Sequence, residues 1–134
     1  MRNIREVKGY TYSIHASMVP LKEATYFLIS TDAIQEFAEQ TCTEIYKEIK
    51  TLQTAEAPLE ELTTLRNYMI GNFLASINDP FSIMQRFKET HLHGLGQAFY
   101  LQFYHTLQTI TPAKIKEIAN SYLTLDSLTE IRVG

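Results

Sequence analysis

Four histidines and one cysteine are the side chains here best suited to hold a metal or attack a carbonyl carbon. Glu89, His91 and His93 form the densest group, at Glu-x-His-x-His spacing. A zinc site needs three or four ligands converging on one point. Positions two apart on a helix point in different directions, and Gly94 leaves the local backbone undefined. The expectation for His91 and His93 is a solvated or core-edge position, with no metal bound by this chain. Cys42 sits among apolar residues at helical spacing. It is expected to be a small buried hydrophobe. No Gly-rich phosphate loop, G-x-S-x-G run or Cys–His nucleophile pair is present. Phe99, Tyr100, Phe103 and Tyr104 recur at i, i+4 spacing. They read as core with hydroxyls at its rim, or less simply as a peptide-binding groove.

The elements that must position these residues can be read from periodicity. Residues 2–7 read as the last turns of a helix, and Gly9 suits a left-handed cap after it. Thr11 to Met18 alternates, with Tyr12, Ile14, Ala16 and Met18 on one side. That predicts a strand with one buried face. Pro20 with Lys22 and Glu23 makes a turn, and Ala24 to Ser30 a second strand. Asp32 and Gln35 have capping-box spacing. The helix after them carries Ile34, Phe37, Ala38, Thr41, Ile45, Ile49 and Leu52 on one stripe.

Pro58 suits the first turn of the next helix. Its faces carry Leu62, Leu65, Met69 and Phe73, with Ile70, Leu74 and Ile77 beside them. Gly71, mid-helix, predicts close packing or a bend. Asn78-Asp79-Pro80 breaks the chain. Residues 81–107 are mainly helical, interrupted near Gly94 and Gly96. A short helix starts at Thr111-Pro112, and Thr129 to Val133 alternates as a closing strand. Segregated strands and helices predict an α+β fold: an antiparallel or mixed sheet with helices on one face. Three strands are few for so many helices, and the chain opens inside a helix. Both predict that an N-terminal part of the natural domain precedes this sequence, leaving an open sheet edge able to recruit partners, a second copy included.

Composition narrows the function classes. A chain of 134 residues fits one domain with one core. With 45% hydrophobic residues, disorder is not expected. The net charge of -3 argues against nucleic acid, whose phosphates demand a basic surface. No stretch reaches membrane-span length.

Four stretches carry a family resemblance, in order along the chain. Asn3 to Ser13, with Arg5-Glu6-Val7-Lys8-Gly9-Tyr10-Thr11-Tyr12 at its centre, resembles an L-R-E-x-K-G-x-x-Y segment of the M16 (insulinase/pitrilysin-like) zinc metallopeptidases. Arg66 to Phe73 is similar to that family's N-x-x-x-G-N-F helix. Leu107 to Ile118 resembles its I-x-x-V-T-x-x-D-I helix start, and Glu130 to Gly134 its closing strand ending V-G. The resemblance implies one half-domain over residues 1–134, a piece of a longer chain. The family closes two related halves around a chamber. One half holds zinc through H-x-x-E-H and a distant Glu; the other has usually lost that motif. None of His15, His91, His93 and His105 begins H-x-x-E-H. The motif is either lost or lies upstream, and the Arg-bearing segment is typical of the metal-free half.

The resemblance maps a substrate-binding Arg onto Arg5 and a Tyr onto Tyr12. Both side chains donate hydrogen bonds, and Gly9 turns the chain between them. Tyr10 is the rival donor, on the opposite strand face. The alternative role is structural: Arg5 paired with a helix carboxylate and Tyr12 half-buried on its strand. No catalytic residue and no metal ligand is expected in this chain. Zn2+ is expected in a partner half, in the same chain or another subunit, with a peptide as substrate. A non-enzymatic scaffold with the same fold is the second reading. No compartment is assigned; bacterial relatives occur in cytoplasm and periplasm.

Overall fold

A computed structural model describes residues 2–96 and 98–133. The chain divides into two compact units: Met1–Thr54 with Ala119–Gly134, and Ala55–Ile118.

In the first unit a π-helical turn, Arg2–Val7, leads into a hairpin of β1 (Thr11–Pro20) and β2 (Thr25–Ala33). Gly9 has φ +65°, a left-handed conformation that side-chain-bearing residues adopt at a cost. It lets the Tyr10 N–H reach back to the Ile4 carbonyl at 3.2 Å. The hairpin is antiparallel, with Met18 opposite Phe27 and Ala16 opposite Ile29. Its turn is closed by the Leu21 N–H donating to the Ala24 carbonyl at 2.7 Å.

A short 3-10 turn, Gln35–Phe37, then feeds α1 (Ala38–Thr54). Thr41 and Ile49 are buried on the expected stripe. The predicted capping box does not form. β2 runs on through Ala33, and Asp32 instead accepts from Ser13 Oγ at 2.9 Å across the hairpin. The N-cap position before the following turn falls on Ile34, which has no capping side chain.

The strand predicted over Thr129 to Val133 is a second correction. Its described residues form no strand, and Ile131 and Val133 are 81% and 97% exposed. Alternation makes a strand only where a ladder partner exists, and among the described residues the sheet has two strands, β1 and β2. Side chains hold the segment to α1 instead. Tyr46 donates to Glu130 Oε2 at 3.1 Å, and Arg132 lies 3.7 Å from Glu39. Burial, then the Glu130 carboxylate, push the nearby Cys42 thiol up. Gly134, the last residue of the motif, lies outside the described residues. Where α1 ends, Gln53 Nε2 donates to the Leu123 carbonyl at 2.8 Å and Asn120 Nδ2 to the Gln53 carbonyl at 2.9 Å.

The second unit is helical: α2 (Leu59–Ala75), α3 (Pro80–Leu92), α4 (Ala98–Thr109) and the start of α5 (Pro112–Tyr122). Asp79 caps α3, accepting from the Phe81 and Ser82 N–H groups at 2.9 and 3.0 Å, with Pro80 just inside the helix. Gly94, at φ +68°, ends α3. The Leu95 N–H donates to the Thr90 carbonyl at 2.8 Å and the Gly94 N–H to the His91 carbonyl at 3.1 Å, a Schellman pair. Close packing at Gly71 is not found, since an added Cβ would meet nothing within 4 Å.

Phe73 of α2 packs on Tyr100, Phe103 and Tyr104 of α4, with centroids 5.5 to 6.2 Å apart. Arg86 lies 5.3 Å over the Phe73 ring. The Tyr100 hydroxyl donates to the Arg86 carbonyl at 2.9 Å, and Tyr104 Oη accepts from Gln108 at 3.1 Å. Tyr100, Phe103 and Tyr104 are thus half-buried packing partners of Phe73, while Phe99 stays exposed. The fold class is α+β as predicted, with the two-stranded hairpin ahead of the helices but without the predicted strand after them.

Candidate functional site

The site is built where the first turn meets the hairpin. Ile4 is 2% exposed and anchors the π-helical turn, leaving Arg5, the next residue, at the surface. After Gly9 the chain enters β1 at Thr11, which is buried. Two residues then separate Thr11 from Ile14, yet their partners Ala33 and Thr31 have one between them. That is a β-bulge, and bulges re-aim side chains. Thr11 and Ile14 both point inward, and Tyr12 is thrown out at 82% exposure. The expected buried face of Tyr12, Ile14, Ala16 and Met18 is therefore broken: among these four only Ile14 is buried.

Hydroxyl groups hold the bulge. Thr11 Oγ1 lies 2.6 Å from the Ser13 carbonyl, 2.9 Å from the Asp32 carbonyl and 2.7 Å from Thr31 Oγ1. Thr31 Oγ1 lies 2.9 Å from the Ser13 carbonyl. Each hydroxyl has one proton to give. The allotment that serves both carbonyls has Thr31 donating to Ser13 and Thr11 to Asp32.

Arg5 and Tyr12 meet on the outer side. The Arg5 guanidinium carbon lies 5.9 Å from the centroid of the Tyr12 ring. Neither part of the structural alternative is present. Among the described residues Arg5 makes no ion pair, and Tyr12 is not half-buried. An exposed cation–π contact contributes about 0.5–1 kcal/mol. Fixing an arginine side chain costs up to about 2 kcal/mol of rotamer freedom. The contact alone cannot hold the guanidinium still, so the backbone below it has to be fixed by other groups.

Those groups were not found by motif reading. Glu44 of α1 has a side chain only 8% exposed, and its Oε1 lies 2.8 Å from Lys8 Nζ and 2.7 Å from Lys47 Nζ. Asn3 Nδ2 donates to Glu44 Oε2 at 3.3 Å and to Glu48 Oε1 at 2.7 Å. Hydrogen bonds from Lys47, then from Lys8, hold the Glu44 carboxyl down at about 2. The Glu44–Lys47 pair is readable as an i, i+3 spacing. Nothing local in the sequence joins either residue to Lys8.

Tyr10, the rival donor, precedes β1 and is half-buried. Its ring stacks on Phe37 at 5.0 Å, with Lys8 Nζ 5.8 Å from its centroid. His91 stacks on Phe87 at 5.9 Å, while Glu89 accepts from Gln85 at 3.2 Å. Among the described residues no three His, Cys, Asp or Glu side chains come together as a metal site. Nor is any described helix long and apolar enough to cross a membrane.

Comparison with known proteins places this geometry in a fold. No family model matches the chain, and no curated protein matches it by sequence. Solved structures do match in three dimensions. One is the peptidase M16 inactive domain from Pseudomonas fluorescens, at TM-score 0.82 and 20% identity over 94% of this chain and 30% of that one. Another is a protease from Helicobacter pylori, at TM-score 0.80 and 14% identity over 90% of this chain and 29% of that one. This chain thus spans under a third of the length of either. The chain has the M16 peptidase fold.

Proposed function

We propose that this chain is a metal-free half of an M16-type zinc peptidase, one that binds peptide through Arg5 and Tyr12 and completes the site of a zinc-bearing partner half. The observation that carries the reading is the juxtaposition of two exposed side chains that each bear hydrogen-bond donors, the Arg5 guanidinium carbon lying 5.9 Å from the Tyr12 ring centroid, at a bulged strand start. The likeness to an inactive M16 domain supports the absence of independent catalysis.

The chemistry divides between the halves. A zinc ion in the partner half would supply the activated water and polarise the scissile carbonyl. Arg5 presents up to five N–H donors and Tyr12 one O–H. Directed at a peptide carbonyl, they orient the substrate and stabilise charge as it develops on the oxygen. Neither has the basicity to activate water in place of the metal.

The test is hydrolysis of a mixed library of unstructured peptides by this chain alone, then with its zinc-bearing partner half. No turnover alone and turnover on mixing is the expected result. Turnover by this chain alone would overturn the reading.

A second reading, a non-enzymatic scaffold, is favoured by one observation. Met18 and Phe27 pair on one face of the hairpin, Val19 and Tyr26 on the other, and all but the half-buried Val19 are exposed. A hairpin apolar on both faces calls for a cover. The cover is the partner half or, through an open strand edge, a second copy. An inert mixture that still forms a complex would favour the scaffold.

A further inference from the structure

The groups that steady Arg5 are not used by the chemistry above. We propose that Glu44 is a positioning residue for the Arg5–Tyr12 pair, gripping the turn that carries Arg5 on both sides, through Asn3 before it and Lys8 after it. This rests on reading Arg5 and Tyr12 as the substrate-binding pair.

The geometry is specific to that turn. Glu44 needs only Lys47, on its own helix, to satisfy one oxygen. It also takes Lys8 at 2.8 Å and Asn3 at 3.3 Å, two donors remote in sequence. Arg5 lies between them. Asn3 spends its second proton on Glu48 at 2.7 Å, so the near side of the turn is tied to α1 at two points. The far side is tied by Lys8, just before the left-handed Gly9. Arg5 itself makes no ion pair among the described residues, and its place over Tyr12 follows from where the backbone puts it. The clamp leaves the guanidinium N–H groups available to a ligand, which a carboxylate bound to Arg5 directly would not.

NMR of the full chain tests this without a partner. The Tyr12 ring current shifts the Arg5 δ-methylene resonance, and Tyr12→Leu defines its unshifted position. Lys8→Met and Glu44→Ala are expected to move the resonance most of the way to that position, while Lys8→Arg leaves it in place. If Glu44→Ala does not fold, Lys8→Met decides, since Lys8 lies at the partly exposed edge of the cluster. An Arg5 resonance unmoved in folded Lys8→Met, or already unshifted in the native chain, overturns the positioning role whatever the activity does. In the mixture with the partner half, Lys8→Met is expected to raise KM for peptide more than it lowers kcat. A moved resonance with unchanged KM would instead sink the substrate-binding reading and leave the positioning role standing.

Discussion

Thr11 and Thr31 face each other across the hairpin with their hydroxyl oxygens 2.7 Å apart, and both serve carbonyls of the bulge that turns Tyr12 outward. Thr11→Val keeps the shape and removes the buried donor to Asp32. Asp32 is itself exposed, so the lost hydrogen bond is worth about 0.5–1.5 kcal/mol. Urea denaturation should show a loss of that size. No change in the midpoint would mean that the bulge is held by something else.

Acid should loosen the clamp in a defined window. The folded-state value of Glu44, about 2, lies below the ordinary glutamate value of 4.5. The stabilisation is therefore complete above about 4.5 and is lost as pH falls toward about 2. Glu130 and Asp79 are lowered in the same direction, chiefly by Arg132 and by Ser82. Glu44→Gln should flatten the fall in stability over that range without abolishing it. A parallel curve for the variant would show that Glu44 does not contribute.

The cap of α3 is a local test. Asp79 accepts from two backbone N–H groups. Asp79→Ala should cost about 1 kcal/mol and Asp79→Asn much less. Equal losses from the two would point to the charge rather than the hydrogen bonds.

Gly71 offers the opposite sign. It sits within α2 with open space around it. Gly71→Ala should stabilise the chain by about 0.5–1 kcal/mol. A loss of stability would reveal a close approach absent from this geometry.

Which features were legible depends on how local their causes are. The stripe of α1 and the ends of α3 follow from side-chain periodicity and from Asp79, Pro80 and Gly94. Gly9 announced its left-handed turn. The bulge did not show, because Thr11 to Met18 alternates cleanly and the cause lies in Thr31 and Asp32, on the other strand. No closing strand forms, since the alternation of Thr129 to Val133 names a face but supplies no ladder. Asp32 had the spacing of a cap and was taken by Ser13. Arg5 and Tyr12 were singled out through the family resemblance; their contact comes from the fold, and Glu44 entered only with it.

The central claim is that Arg5 and Tyr12 act together on peptide, and a double-mutant cycle in the zinc-bearing mixture tests it most directly. Arg5→Ala and Tyr12→Phe should each lower kcat/KM, by up to about 10²-fold for a lost transition-state donor. The double variant should lose clearly less than the product of the two, because residues acting as a unit are non-additive. Full turnover in Arg5→Ala, or losses that simply multiply, would contradict the account.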